Sequence, residues 1–167
     1  TWSALVDEGY NLGDRTLYLR LPNFHGNDVR QLQERLNILG FSCGEAVEAE
    51  VTPGEKGVFG MYLRGRWREL RWQGTGEDLD VAVLQERVLA PLLGIEDPRT
   101  DVRATFVGGV SAAELAEKVG PDAVAFALCP TSMDELMAVA DGGGIMPPKS
   151  TWFDPKLQSG LALRRIW

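Results

Sequence analysis

VRATFVGGVSAAELAEKVGPDAVAFALCPTSMDELMAVA, residues 102–140, decides how this chain folds. Val102 to Val107 reads as a strand, dense in β-branched and aromatic residues. Ser111 with Glu114 has the spacing of a capping box and opens a helix to Val119. Ala123 to Leu128 is apolar without alternation, the pattern of a strand covered on both faces. Ser132 with Glu135 repeats the capping-box spacing and opens a second helix to about Ala140. A loop and a last strand, Leu161 to Ile166, complete a β-α-β-α-loop-β order. Such an order builds a parallel or mixed sheet through right-handed crossovers. The expected fold class is therefore α/β (mixed α+β), with a mixed sheet.

Upstream, Val58 to Leu63 and Trp67 to Trp72 flank Arg64-Gly65-Arg66, which reads as a hairpin turn. Asp78 or Asp80 caps a helix running to about Ala90 and stopped before Pro91. The texture changes between Gly44 and Pro53, dividing the chain into segments 1–44 and 45–167. The first holds a short extended stretch, Leu17 to Leu21, ended by Pro22. A helix capped by Asn27 or Asp28 follows, with Val29, Leu32, Leu36 and Leu39 on one face and Gly40 as its stop. Ser42 to Pro53 reads as a linker or irregular crossing. The pattern does not say whether Leu17 to Leu21 joins the main sheet.

Composition excludes several classes. With 167 residues, 44% hydrophobic and 25% charged, the chain can bury a real core. A net charge of −7 argues against nucleic acid or an anionic membrane as partner. No apolar run approaches the length of a membrane span. Two cysteines, Cys43 and Cys129, make no disulfide framework, so a reducing cytoplasm is the default localisation. The chain starts at Thr1 rather than Met, as a fragment or a processed product does.

The clearest place for chemistry is IMPPKSTWFDPK, residues 145–156. Two prolines forbid a helix, and Lys149, Ser150, Thr151 and Lys156 follow on a stiffened loop. Lysine offers a point charge and the hydroxyls offer donors, the grip of a phosphate or carboxylate site. The plainer alternative is a surface turn whose aromatics, Trp152 and Phe153, cap the core. Thr131 and Ser132 stand where a buried strand meets a helix N-terminus, a usual position for anions. Ser132 is equally explained as a helix cap. Asp141-Gly142-Gly143-Gly144 is a hinge or a helix stop, and Phe106-Val107-Gly108-Gly109 a close backbone approach or a turn.

Other chemistries find little support. Neither GxxxxGK[ST] nor GxGxxG occurs. His25 is the single histidine, without partners at metal spacing, so no metal site and no Ser-His-Asp triad is expected. Cys43 and Cys129 read as small buried residues, and Asp97 to Arg103 as a solvated loop with local ion pairs.

Four stretches, GVFGMYLRGRWREL, LDVAVLQERVLAPLLGIEDPRTDVR, FVGGV and DAVAFALCPTSMDELMAVADGGGIMPPKSTWFDPKLQSGLALRRIW, fall in order within residues 45–167. Together they resemble the C-terminal part of the domain-of-unknown-function 1015 family. Some members of that family are pyrophosphate-dependent serine kinases. The resemblance thus implies phosphoryl chemistry, a small phosphorylated ligand and Mg²⁺ accompanying pyrophosphate, which suits a Lys/Ser/Thr loop. Complete members also carry an N-terminal portion with a ParB-like catalytic fold and a DGHHR-type motif. This sequence has no counterpart of that portion, so a module that is not catalytic alone is expected.

GNDVRQLQERLNILGF, within segment 1–44, resembles the first half of a peptidoglycan-binding domain of cell-wall amidases, without its DGIFG-like turn and second helix. Segment 1–44 is accordingly read as a truncated strand-helix piece, and a cell-wall binding role with cell-wall localisation is the alternative function. A third is a structural domain that completes its sheet with a second copy or a partner chain.

Overall fold

The computed structural model describes residues 11–12, 15–20, 28–76, 78–108, 114, 117, 119, 123–147 and 153–154. The expected hairpin is present. Strands β4 (Val58–Leu63) and β5 (Arg66–Trp72) pair antiparallel, with Leu63 opposite Arg66. Arg64 and Gly65, the two residues between them, have φ of 52° and 77°. Two successive left-handed residues match the twist of a two-residue hairpin, and Gly65 takes that conformation without a Cβ clash.

Around this hairpin stand β1 (Asn11–Leu12), β2 (Arg15–Arg20), α1 (Asp28–Ile38), β3 (Phe41–Cys43), β6 (Ala104–Gly108), β7 (Ala123–Leu128) and β8 (Phe153–Asp154). Helix α2 occupies 80–93, and α3 is Met133–Asp141. Six strands form one sheet in the order β3-β5-β4-β7-β2-β6. The mixed α/β class is as expected, but every pairing among the described strands is antiparallel. The β-α-β order is present in a split form. β6 and β7 point the same way, and β2 lies antiparallel between them, with Leu17 opposite both Phe106 and Phe126. The stretch around Leu17 therefore enters the main sheet, next to its β6 edge. Glu114 and Glu117, in the connection from β6 to β7, are helical; Ser111 lies outside the described residues, as does the expected strand Leu161 to Ile166.

All six residues of β4 are buried, so both faces of the sheet are covered there. On one face, Phe59, Met61, Leu63, Leu70, Val124, Phe126 and Leu128 pack with Leu32 and Leu36 of α1 and with Val83, Leu84, Val88 and Leu89 of α2. The periodic residues of α1 thus find their core, and Gly40, at φ 93°, ends that helix as expected. The other face gathers Tyr62, Trp67, Val119, Ala123 and Ala125, with Val51 packed against them. A Cβ on Gly60 would collide with the Val51 carbonyl, so glycine lets this crossing lie directly on the sheet.

Helix α2 does not stop at Pro91. It runs as α over Asp80–Leu84, as π over Gln85–Leu89 and again as α over Ala90–Leu93. In the widened turn the Ala90 amide bonds to the Gln85 carbonyl. Pro91 then stands at the start of a new α turn, where its missing N–H costs nothing. Arg103 closes the far end by donating to the Leu93 and Gly94 carbonyls at 3.1 and 2.9 Å, while pairing with Asp101 at 2.6 Å. The Asp97–Arg103 run is the loop of local ion pairs it was expected to be, with Arg99 bound to Asp97 at 2.9 Å.

Candidate functional site

One end of the sheet collects the candidate groups. There β6 and β7 finish, while β4 and β2 begin: Phe59 and Arg15 both lie opposite Leu128, and Arg15 lies opposite Gly108. Ligands of open sheets sit beyond the carboxyl ends of parallel strands, and β6 and β7 present those ends here. The loop after β7, Cys129-Pro130-Thr131-Ser132, carries two of the expected residues.

Ser132 is the N-cap of α3. Its Oγ accepts from the Glu135 amide at 3.2 Å, and its own amide donates to Glu135 Oε2 at 2.9 Å, the complete capping box. Glu135 does more than cap. Its Oε1 lies 2.8 Å from Lys56 Nζ, which reaches over from the turn before β4. Burial of the Glu135 carboxyl works to raise its pKa, but the Lys56 and Ser132 donors outweigh burial and hold it below the usual carboxylate value.

Next to Lys56, the Gly57 amide donates to Asp80 Oδ1 at 2.9 Å. Gly57 has φ 80°, the left-handed region open to glycine, and so the turn can aim its N–H at the start of α2. The sequence suggested that Asp78 or Asp80 caps α2. In the structure Leu79 is the N-cap and makes no side-chain bond, while Asp80 is the first helical residue and bonds across to β4 instead. Asp80 is 9% exposed and is the buried charged residue among those described. Burial pushes its pKa up to about 6, opposed by the Gly57 amide, reinforced by the Glu135 charge and opposed again by Lys56. Among the described residues its Oδ2 accepts no hydrogen bond.

The site therefore has one cation and two carboxylates on three elements, with two helix N-termini meeting at the Lys56-Gly57 turn. Reading the sequence for function singled out Ser132 but not Lys56, Asp80 or Glu135. Asp80 and Glu135 had been read as caps, and nothing in their spacing told of Lys56.

Lys149, Ser150, Thr151 and Lys156 lie outside the described residues. Their neighbours Phe153 and Asp154 form β8, which pairs with β1 through Phe153 opposite Leu12 and Asp154 opposite Asn11. Leu12 is three residues from Arg15, a span of about 10 Å at most. Arg15 in turn is opposite Leu128. The chain thus brings β8 towards the end of the sheet that holds Ser132. Thr131 is half-buried in the same loop. Among the described residues no group of three or more His, Cys, Asp or Glu side chains could hold a metal ion. Cys43 and Cys129 form no disulfide among the described residues, and burial raises the Cys43 pKa against the opposing charge of Arg68, the condition of an unreactive cysteine. Among the described residues, no helix is long and apolar enough to cross a membrane.

No protein-family model and no curated protein matches the sequence. Solved structures do match. A conserved hypothetical protein from Pyrococcus furiosus superposes with TM-score 0.51 at 18% identity, over 89% of this chain and 58% of that one. A mutant free serine kinase in complex with AMP superposes with TM-score 0.50 at 18% identity, over 91% of this chain and 63% of the kinase. A C-terminally truncated SbnI from Staphylococcus aureus gives 0.46 at 16% identity, over 92% and 53%. The fold is thus shared with a free serine kinase, and the chain spans about three fifths of the length of the first two structures. The comparisons do not show the peptidoglycan-binding resemblance of segment 1–44.

Proposed function

We propose that this chain is the C-terminal module of a phosphotransferase of the pyrophosphate-dependent serine kinase kind. It binds a phosphate-containing ligand where β7 meets α3. The observation that carries this reading is the register of two strand pairs. Phe153 opposite Leu12 and Arg15 opposite Leu128 support a site that the loop of Lys149, Ser150, Thr151 and Lys156 shares with Thr131 and Ser132. Lys56 adds a cation to that set, on the side of the Ser132 loop. The shared fold of a free serine kinase agrees with such a role. Phosphoryl transfer is largely positioning and charge stabilisation, and a lysine- and hydroxyl-lined loop supplies both to the phosphate it holds. Magnesium accompanying pyrophosphate would be carried by the ligand's phosphates and water rather than by a protein cage.

The test is a calorimetric titration of the whole chain with pyrophosphate, phosphate and phosphoserine, with and without Mg²⁺. Saturable binding of at least one of them, weakened in Lys149→Ala and in Lys56→Met, is the expected result. Binding that neither substitution changes would remove the ligand from this end of the sheet.

A further inference from the structure

Among the described residues, Lys56, Asp80 and Glu135 meet at the Lys56-Gly57 turn with more negative than positive charge. Lys56 is shared between the Glu135 carboxylate, bound at 2.8 Å, and the electrostatic reach of Asp80. Glu135 is pinned by three donors: Lys56 Nζ, the Ser132 amide at 2.9 Å and the Ser132 hydroxyl at 3.2 Å. It keeps its charge. Asp80 has one hydrogen-bond donor among the described residues, the Gly57 amide at its Oδ1. With both carboxylates ionised, these three groups sum to one negative charge. A phosphate brought to Lys56 would add more negative charge, which repels an ionised Asp80 in this part-buried setting.

Resting on the phosphate reading above, we propose that anion binding at this end of the sheet is coupled to the uptake of one proton by Asp80. The proton comes from solvent and ends on the carboxyl group of Asp80. No bond of the ligand is made or broken, and Lys56 is left to serve the ligand and Glu135. The direction agrees with the free protein, in which burial already brings Asp80 to a pKa of about 6. The groups that act on it are the Gly57 amide and Lys56 from the turn before β4, and Glu135 from α3. An added anion acts in the same sense as Glu135, raising the pKa further. In this arrangement Asp80 tunes affinity to pH without touching the ligand.

The test measures protons. Pyrophosphate is titrated calorimetrically into the whole chain at about pH 6.5, where Asp80 is part-ionised, in two buffers of different ionisation enthalpy. Wild type and Asp80→Asn are compared, so that protons taken up by pyrophosphate itself cancel in the difference. Asparagine keeps the acceptor for the Gly57 amide. The wild type is expected to take up a further fraction of a proton that Asp80→Asn does not. Asp80→Asn should also bind roughly tenfold tighter at about pH 7.5, where the wild-type carboxylate repels the ligand. In the wild type, the carboxyl-carbon NMR signal of Asp80 should titrate at higher pH when pyrophosphate is bound. Saturable binding with equal proton counts in both proteins and an unmoved Asp80 midpoint would overturn the coupling and leave the phosphate reading standing. No saturable binding to the wild type would overturn both.

Discussion

The Gly57 amide donates to Asp80 Oδ1 at 2.9 Å, and this bond ties the first residue of α2 to the turn that starts the central strand β4. A buried carboxylate with a single neutral donor is an expensive tie, because desolvation favours its protonated form. Its folded pKa, about 6, stands above the 3.8 ordinary for an aspartate. The folded state therefore binds the proton more tightly than the unfolded chain does. This residue's favourable contribution is complete below about pH 4 and is lost as pH rises through about 6.

Asp80→Asn should accordingly be more stable than wild type at pH 7 to 8, since it keeps an acceptor for Gly57 and sheds the buried charge. Urea unfolding at several pH values should show the gap opening between about pH 4 and pH 6. A gap that is constant with pH would mean that Asp80 is not the titrating group.

Glu135 carries the opposite sign. Lys56 and the Ser132 donors hold its pKa below the usual 4.5, so its contribution is present at neutral pH and lost as pH falls through the depressed folded value. Ser132→Ala should cost about 1 kcal/mol by removing the cap of α3. Glu135→Gln should lose less, because a part-exposed ion pair is worth about 1 kcal/mol or under. A double-mutant cycle of Lys56→Met with Glu135→Gln checks the pairing, and a coupling of zero would deny it.

Gly60 is a packing requirement rather than a hinge. A methyl group there meets the Val51 carbonyl, with the Trp67 ring and Ala127 Cβ close behind. Gly60→Ala should lower stability by about 1–3 kcal/mol, read as a lower urea midpoint. An unchanged midpoint would show that the crossing at Val51 can lift off the sheet at no cost.

Arg68 presents a cost that the fold does not offset. Its Nε and Nη1 are buried and have no acceptor among the described residues. Met61, its cross-strand partner on β4, belongs to the apolar core. Arg68→Met should stabilise the protein by about 1 kcal/mol or more, since an unmet buried donor is worth that much. Loss of stability on this change would mean that the aliphatic stem or an acceptor supports the guanidinium.

Much of the local structure was legible because it rests on short-range chemistry. The Arg64-Gly65 turn, the α1 face of Leu32 and Leu36, the Gly40 stop, β7 and the Ser132–Glu135 box all depend on residues a few positions apart. Strand order was not legible. The apolar run of β7 says that both its faces are buried, but not that its neighbours are β4 and β2. Alternating helices and strands suggested parallel crossovers, and only the insertion of β2 makes every contact antiparallel. Pro91 stopped the helix on paper because a π turn, which absorbs it, has no signature of its own. The site was legible in part. Thr131 and Ser132 were found from their place between strand and helix, whereas Lys56 and Asp80 join them only through the pairing of β4 with β7. The loop residues Lys149, Ser150, Thr151 and Lys156 were singled out by residue type and stiffness, and they lie outside the described residues.

The account stands or falls on where a phosphate ligand touches the chain, and backbone-amide NMR during a pyrophosphate titration reads that directly. The expected result is a saturable set of shifts centred on Gly57, Ser132 and Glu135, extending to Lys149 through Thr151. Shifts confined to the opposite end of the sheet, around Arg64 and Gly65, or no shifts at millimolar pyrophosphate, would contradict it.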